Sequence, residues 1–138
     1  MSCKRLLSVA KRKLGEIISA FEFLDLASLD MALNHLEGVR NPLPSSKGKF
    51  YVLIETTGSN QLHDKANLDA FLESCLENSL IVDGSVAQEY NQIAAFWRIR
   101  EGITEALERP GVVYKYDLTP IQHLYELVDE MRTRAWCV

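Results

Sequence analysis

Between Lys49 and Thr57 the chain alternates Phe50, Val52 and Ile54 with Tyr51 and Leu53, so both sets of alternating positions are apolar. Successive side chains of a strand point to opposite faces, and a run that is apolar on both is a strand buried inside its sheet. The segment is expected to be a central strand. Thr57-Gly58-Ser59-Asn60 ends it with turn-forming residues.

The rest of the chain arranges itself around that strand. Ile17 to Leu24 reads as a first strand, and Leu29, Ala32, Leu33 and Leu36 recur with helical spacing between Ser28 and Leu36. Asn41-Pro42-Leu43-Pro44-Ser45-Ser46-Lys47-Gly48 has the composition of a surface loop. Asp64 is placed to cap a helix carrying Leu68, Phe71, Leu72, Cys75 and Leu76 on one side, running to about Ser79. Leu80 to Val82 is expected to be a third, short strand, interrupted by the turn pair Asp83-Gly84. A long helix from Glu89 to Glu108 follows, stopped by Pro110-Gly111. Val112 to Leu118 alternates as a fourth strand, and a last helix from Pro120 to Arg134 places Leu124, Leu127, Val128 and Met131 on one side.

Strands alternate with helices, yet no glycine-rich phosphate loop follows the first strand. The expected class is α+β, a ferredoxin-like or split-βαβ sheet with helices packed on one face. Met1 to Gly15 carries Lys4, Arg5, Lys11, Arg12 and Lys13 and no acid, the composition of a mitochondrial transit peptide. A basic helix from Leu6 to Leu14 leading into the first strand is the preferred reading, because no cleavage-like break precedes that strand. Residues 1–13 are then a lead-in helix and residues 14–138 the domain proper.

With 138 residues, 47% hydrophobic and 25% charged, the chain can bury a core as one soluble domain. A net charge of −4 gives no electrostatic reason to expect nucleic acid. Three separated cysteines and three scattered histidines suggest neither a disulfide framework nor a metal site. The apolar runs are too short for a transmembrane segment.

Chemistry concentrates between Ile93 and Thr119. On a helical wheel Ile93, Phe96, Trp97, Ile103 and Leu107 share one face, opposite Arg98, Glu101, Glu105 and Glu108. Arg100 and Thr104, one turn apart, project from the middle of the apolar stripe. An arginine there needs an anion, either a carboxylate of the domain such as Glu55 or Asp117, or a bound ligand. Thr104 taken alone fits a bond back to its own helix, and Lys115 taken alone fits a solvated strand residue. Together the three would make an anion-binding corner suited to a small carboxylate-rich molecule. No Ser-His-Asp or Cys-His arrangement accompanies them, so no catalytic residue is assigned.

Four segments carry a resemblance: Leu14-Gly15-Glu16-Ile17-Ile18-Ser19-Ala20-Phe21-Glu22-Phe23, Phe50-Tyr51-Val52-Leu53-Ile54-Glu55-Thr56-Thr57-Gly58-Ser59-Asn60, Trp97-Arg98-Ile99-Arg100-Glu101-Gly102-Ile103 and Val113-Tyr114-Lys115-Tyr116-Asp117. In this order, over roughly residues 10–134, they resemble the C-terminal substrate domain of FAD-linked D-2-hydroxyacid dehydrogenases, in particular the branch acting on D-2-hydroxyglutarate. The resemblance implies oxidation of a D-2-hydroxy acid to the 2-oxo acid, with Arg100, Thr104 and Lys115 as substrate-binding residues. It implies FAD and a divalent metal, zinc in the similar enzymes, held by residues outside this chain. It also implies an electron-transfer flavoprotein as partner and a mitochondrial location. The chain is then expected to be a fragment that is inactive alone. The alternative is a non-enzymatic interaction module or a dicarboxylate-binding module.

Overall fold

The computed structural model describes residues 3–111, 113 and 123–135. In chain order these form α1 (Cys3–Leu14), β1 (Ile18–Asp25), α2 (Leu26–His35), β2 (Phe50–Thr56), α3 (Gln61–Glu77), α4 (Tyr90–Glu108) and α5 (Leu124–Ala135). Strands β1 and β2 are direct antiparallel neighbours, with Phe21 opposite Ile54, Glu22 opposite Leu53 and Leu24 opposite Tyr51. An irregularity between Ile18 and Ala20 inserts Ser19 into the ladder without a partner. Among the described residues β2 has β1 as its one neighbour, so the central position expected for it is not what these residues show.

The register explains how the layers form. Directly opposed residues share a face, so Phe21, Phe23, Val52 and Ile54 look one way, and Glu22, Leu24, Tyr51, Leu53 and Glu55 look the other. The first face is covered by α1 and α3, whose Leu6, Ala10, Leu14, Phe71 and Cys75 form one core cluster. The second is covered by α2 and α4: Leu24 packs with Leu29, Ala32, Leu36, Ile99 and Ala106 in a second cluster. The α+β class expected from the sequence is the class observed. One detail changes, in that helices lie on both faces, because both faces of the ribbon carry large apolar side chains.

Local chemistry sets the helix boundaries. Asp25 ends β1 and caps α2, its Oδ1 accepting from the Ser28 backbone N–H at 2.9 Å and the Ser28 hydroxyl at 2.7 Å. Asn60, rather than Asp64, caps α3, since its Oδ1 accepts from the backbone N–H of His63 at 3.1 Å. At the start of α4 the Gln92 side chain turns back to accept from the Glu89 N–H at 3.3 Å, half of a capping box.

Residues 80–82 do not form a strand. The N–H groups of Leu80 and Ile81 both donate to the Cys75 carbonyl, at 2.8 and 3.2 Å, after Ser79 turns left-handed at φ 52°. The helix end thereby captures the chain, and Leu80 is buried in the first core cluster instead of entering a ladder. The fourth strand, over residues 112–118, and the Pro120 start of the last helix fall almost wholly outside the described residues.

Gly102 of α4 lies against Leu36, the C-cap residue of α2. A Cβ there would overlap the Leu36 Cδ1 methyl and lie 3.2 Å from Arg98 Nη1. Helix propensity favours Ala over Gly by about 0.5–1 kcal/mol, whereas overpacking a core contact costs about 1–3 kcal/mol. Leu36 is itself buried, so the second effect wins. Gly102→Ala is expected to lower the urea midpoint, and a raised midpoint would show that Leu36 does not define this contact.

Burial raises the Cys75 thiol above its ordinary value, with Lys13 opposing by the smaller effect. A group whose folded pKa is raised contributes stability that is full below its unfolded value, about 8.5 for a thiol, and lost as pH rises through the folded value. Moving from pH 7 to pH 10 is therefore expected to destabilise the wild-type chain more than Cys75→Ala. Equal losses in the two unfolding curves would remove Cys75 as a source.

Candidate functional site

Helix α4 carries two stripes that do different work. Ile99, Gly102 and Ala106 are its buried residues and pack on α2. Ile93, Phe96, Trp97 and Arg100 line a cavity of about 740 Å³ that extends along β2. At about 100° per residue the two stripes are more than a third of a turn apart. Of the apolar face read from the sequence, Ile93, Phe96 and Trp97 thus line the cavity and Ile103 packs against the second core cluster, while the buried stripe meets the cavity only through Ile99.

The helix reaches the sheet through two long side chains. Trp97 Nε1 donates to Glu55 Oε1 at 3.0 Å. The other oxygen of Glu55 accepts from the Ser19 hydroxyl at 2.9 Å, and Ser19 in turn accepts from Thr57 Oγ1 at 3.2 Å. The ladder irregularity is what places Ser19 there. One turn along, Arg100 Nε and Nη2 both donate to Glu22 Oε2, at 2.8 and 2.7 Å. Glu22 and Glu55 lie on the same face of the ribbon, so two carboxylates, one from each strand, receive the two α4 donors.

Of the three residues expected at the site, Arg100 and Thr104 are among the described residues. Arg100 is half-buried, with its side chain 38% exposed, on the cavity wall. Among the described residues its protein partner is Glu22, not Glu55, and Asp117 lies outside them. Thr104 is exposed on α4, so it does not sit in a packed apolar stripe. Lys115 lies outside the described residues. The structure therefore brings Arg100 to the cavity and leaves its convergence with the other two as an expectation.

The neighbouring arginine shows why Arg100 stands out. Arg98, on the outer face, donates to Glu105 at 3.0 Å, and this bond chiefly holds the Glu105 carboxyl below its ordinary range. That is a surface pair of the kind worth little. Arg100 is set among Ile93, Phe96, Trp97 and Leu53 at the cavity, where a carboxylate would meet both a cation and apolar walls.

Glu22 was not singled out from the sequence, because a partner 78 residues away on a strand has no local signature. Gly102 and Trp97 stood within a recognised segment, but their contacts with Leu36 and Glu55 had no sequence signal either. Among the described residues no three His, Cys, Asp or Glu side chains gather as ligands for a metal ion. No helix of the described residues is long and apolar enough to cross a membrane.

The family model described as FAD linked oxidases, C-terminal domain, matches residues 2–136. A mitochondrial D-2-hydroxyglutarate dehydrogenase of Arabidopsis thaliana is 58% identical over 135 residues, covering 97% of this chain and 24% of its own length. The like-named protein of Danio rerio is 47% identical over 120 residues, covering 86% of this chain and 22% of itself. A D-2-hydroxyglutarate–pyruvate transhydrogenase of Saccharomyces cerevisiae is 37% identical over 125 residues, covering 90% of this chain and 25% of itself. The chain thus spans about a quarter of the length of the relatives it matches. By the match over residues 2–136, it belongs to the FAD-linked oxidase C-terminal domain family.

Proposed function

We propose that this chain is part of the substrate-binding domain of a flavin-dependent D-2-hydroxyglutarate dehydrogenase, and that Arg100 is the principal clamp for a substrate carboxylate. The observation that carries the reading is the position of Arg100: a guanidinium held on the wall of a largely apolar cavity by bonds to one carboxylate oxygen. The names of the relatives supply the substrate.

In this reading Thr104, one turn further along α4, donates beside Arg100, and Lys115 is the second cation. Two cations match the two carboxylates of 2-hydroxyglutarate, and a monoacid such as lactate would satisfy one of them. Oxidation of the alcohol to the ketone removes a hydride and a proton, and FAD is the hydride acceptor that the family supplies. The residues of this chain bind and orient the substrate. A divalent metal, zinc in the notional whole enzyme, an electron-transfer flavoprotein as acceptor and a mitochondrial location complete the proposal. The relatives named as mitochondrial support the last of these.

Substitution at the aligned positions of a full-length dehydrogenase tests the assignment. Arg100→Ala is expected to lower kcat/KM for D-2-hydroxyglutarate by about 10- to 100-fold, the loss of one hydrogen-bonded charge pair. Because both side chains of the Arg100–Glu22 pair are about a third exposed, the same change is expected to lower stability by no more than about 1 kcal/mol. Normal turnover would rule out the clamp. Lys115→Met is expected to narrow the preference for D-2-hydroxyglutarate over D-lactate, and an unchanged ratio would remove Lys115 from substrate recognition.

A further inference from the structure

We propose that Glu22 is a positioning residue for substrate binding, fixing the Arg100 guanidinium on the cavity wall; the inference rests on Arg100 being the carboxylate clamp. An arginine side chain has four flexible torsions, and an unrestrained one loses rotamer entropy when a ligand immobilises it. Here that freedom is already restricted. Glu22 Oε2 accepts from Nε and Nη2 together, which fixes both the plane of the guanidinium and its rotation about the Cδ–Nε axis. Those two bonds use one edge of the fork. Nη1 and the outer hydrogen of Nη2 are left to meet a second acceptor, and a carboxylate suits that geometry.

Glu22 is well placed to do this. It sits in the middle of β1, opposite Leu53 in the ladder, so its backbone is fixed by paired residues before and after it along the strand. Its neighbour two residues on, Leu24, is 7% exposed and belongs to the core cluster that also holds Ile99 of α4. Strand and helix are therefore locked together one residue from Arg100, and the carboxylate cannot drift relative to the guanidinium without breaking that packing. The opposite role is also conceivable for an acid beside a clamp: Glu22 as a competitor that substrate displaces. A competitor would have to cover the edge that substrate uses, and Glu22 covers the Nε–Nη2 edge, not the Nη1–Nη2 end of the fork.

A double-substitution cycle in the full-length flavoenzyme, with Glu22→Gln, Arg100→Ala and both at the aligned positions, separates the possibilities. Glu22→Gln alone is expected to raise KM for D-2-hydroxyglutarate about fivefold or more with little change in kcat, the signature of lost uniform binding. In the Arg100→Ala background it is expected to change KM by less than about twofold, since its effect passes through Arg100. Glu22→Asp, which keeps the charge, should recover part of the loss. An equal KM effect in both backgrounds would make Glu22 merely structural, and a lowered KM would make it a competitor; either overturns the inference. If Arg100→Ala raises KM and Glu22→Gln does not, the clamp stands and the positioning role falls. If Arg100→Ala leaves KM unchanged, both fall.

Discussion

Everything among the described residues depends on covering the β1–β2 ribbon, which is apolar on both faces. An isolated hairpin-sized ladder is marginal in water, and β1 and β2 present Phe21, Val52 and Ile54 on one face and Leu24, Tyr51 and Leu53 on the other. The α1–α3 layer closes the first face with a dense cluster around Phe71. The α2–α4 layer closes the second incompletely. Helix α4 packs chiefly on α2, through Ile99, Gly102 and Ala106, and spans the remaining distance to the sheet with the side chains of Trp97 and Arg100.

The candidate site is a consequence of that incomplete closure. Because the packing stripe of α4 is rotated away from its large apolar residues, Ile93, Phe96 and Trp97 are turned toward a cavity instead of a core. A cavity beside β2 with an arginine in its wall combines two recognition elements that a diacid with a short carbon chain can use at once, ion pairing at the ends and apolar contact between them. The carboxylates Glu22 and Glu55 are the sheet's contribution. They hold α4 at a fixed height over the ribbon, and through Glu22 they set the direction of the guanidinium.

Much of this could be read from residue order. Periodicity located α2, α3, α4 and α5 and both strands, composition located α1, and the fold class followed from their alternation. The segment around Arg100 was legible because a cation among Ile93, Phe96 and Trp97 violates the expected pattern. What could not be read were contacts between residues far apart in sequence. The partner of Arg100 lies across a strand register that only the folded ladder defines. The rotation of α4 escaped a wheel that weighs residues by hydrophobicity, because Gly102 and Ala106 pack closely while being small. Leu80 to Val82 looked like a strand since apolar runs are ambiguous at that length, and the left-handed Ser79 decided the matter by returning the chain to the end of α3.

The central claim is that the guanidinium of Arg100, held by Glu22, receives a substrate carboxylate. A crystal structure of this domain within its flavoenzyme, with D-2-hydroxyglutarate bound, measures it most directly. The account predicts a carboxylate about 2.7–2.9 Å from Arg100 nitrogens, with the Glu22 bond to Nε retained. A substrate whose carboxylates are bound elsewhere, with Arg100 paired to Glu22 alone, would contradict it.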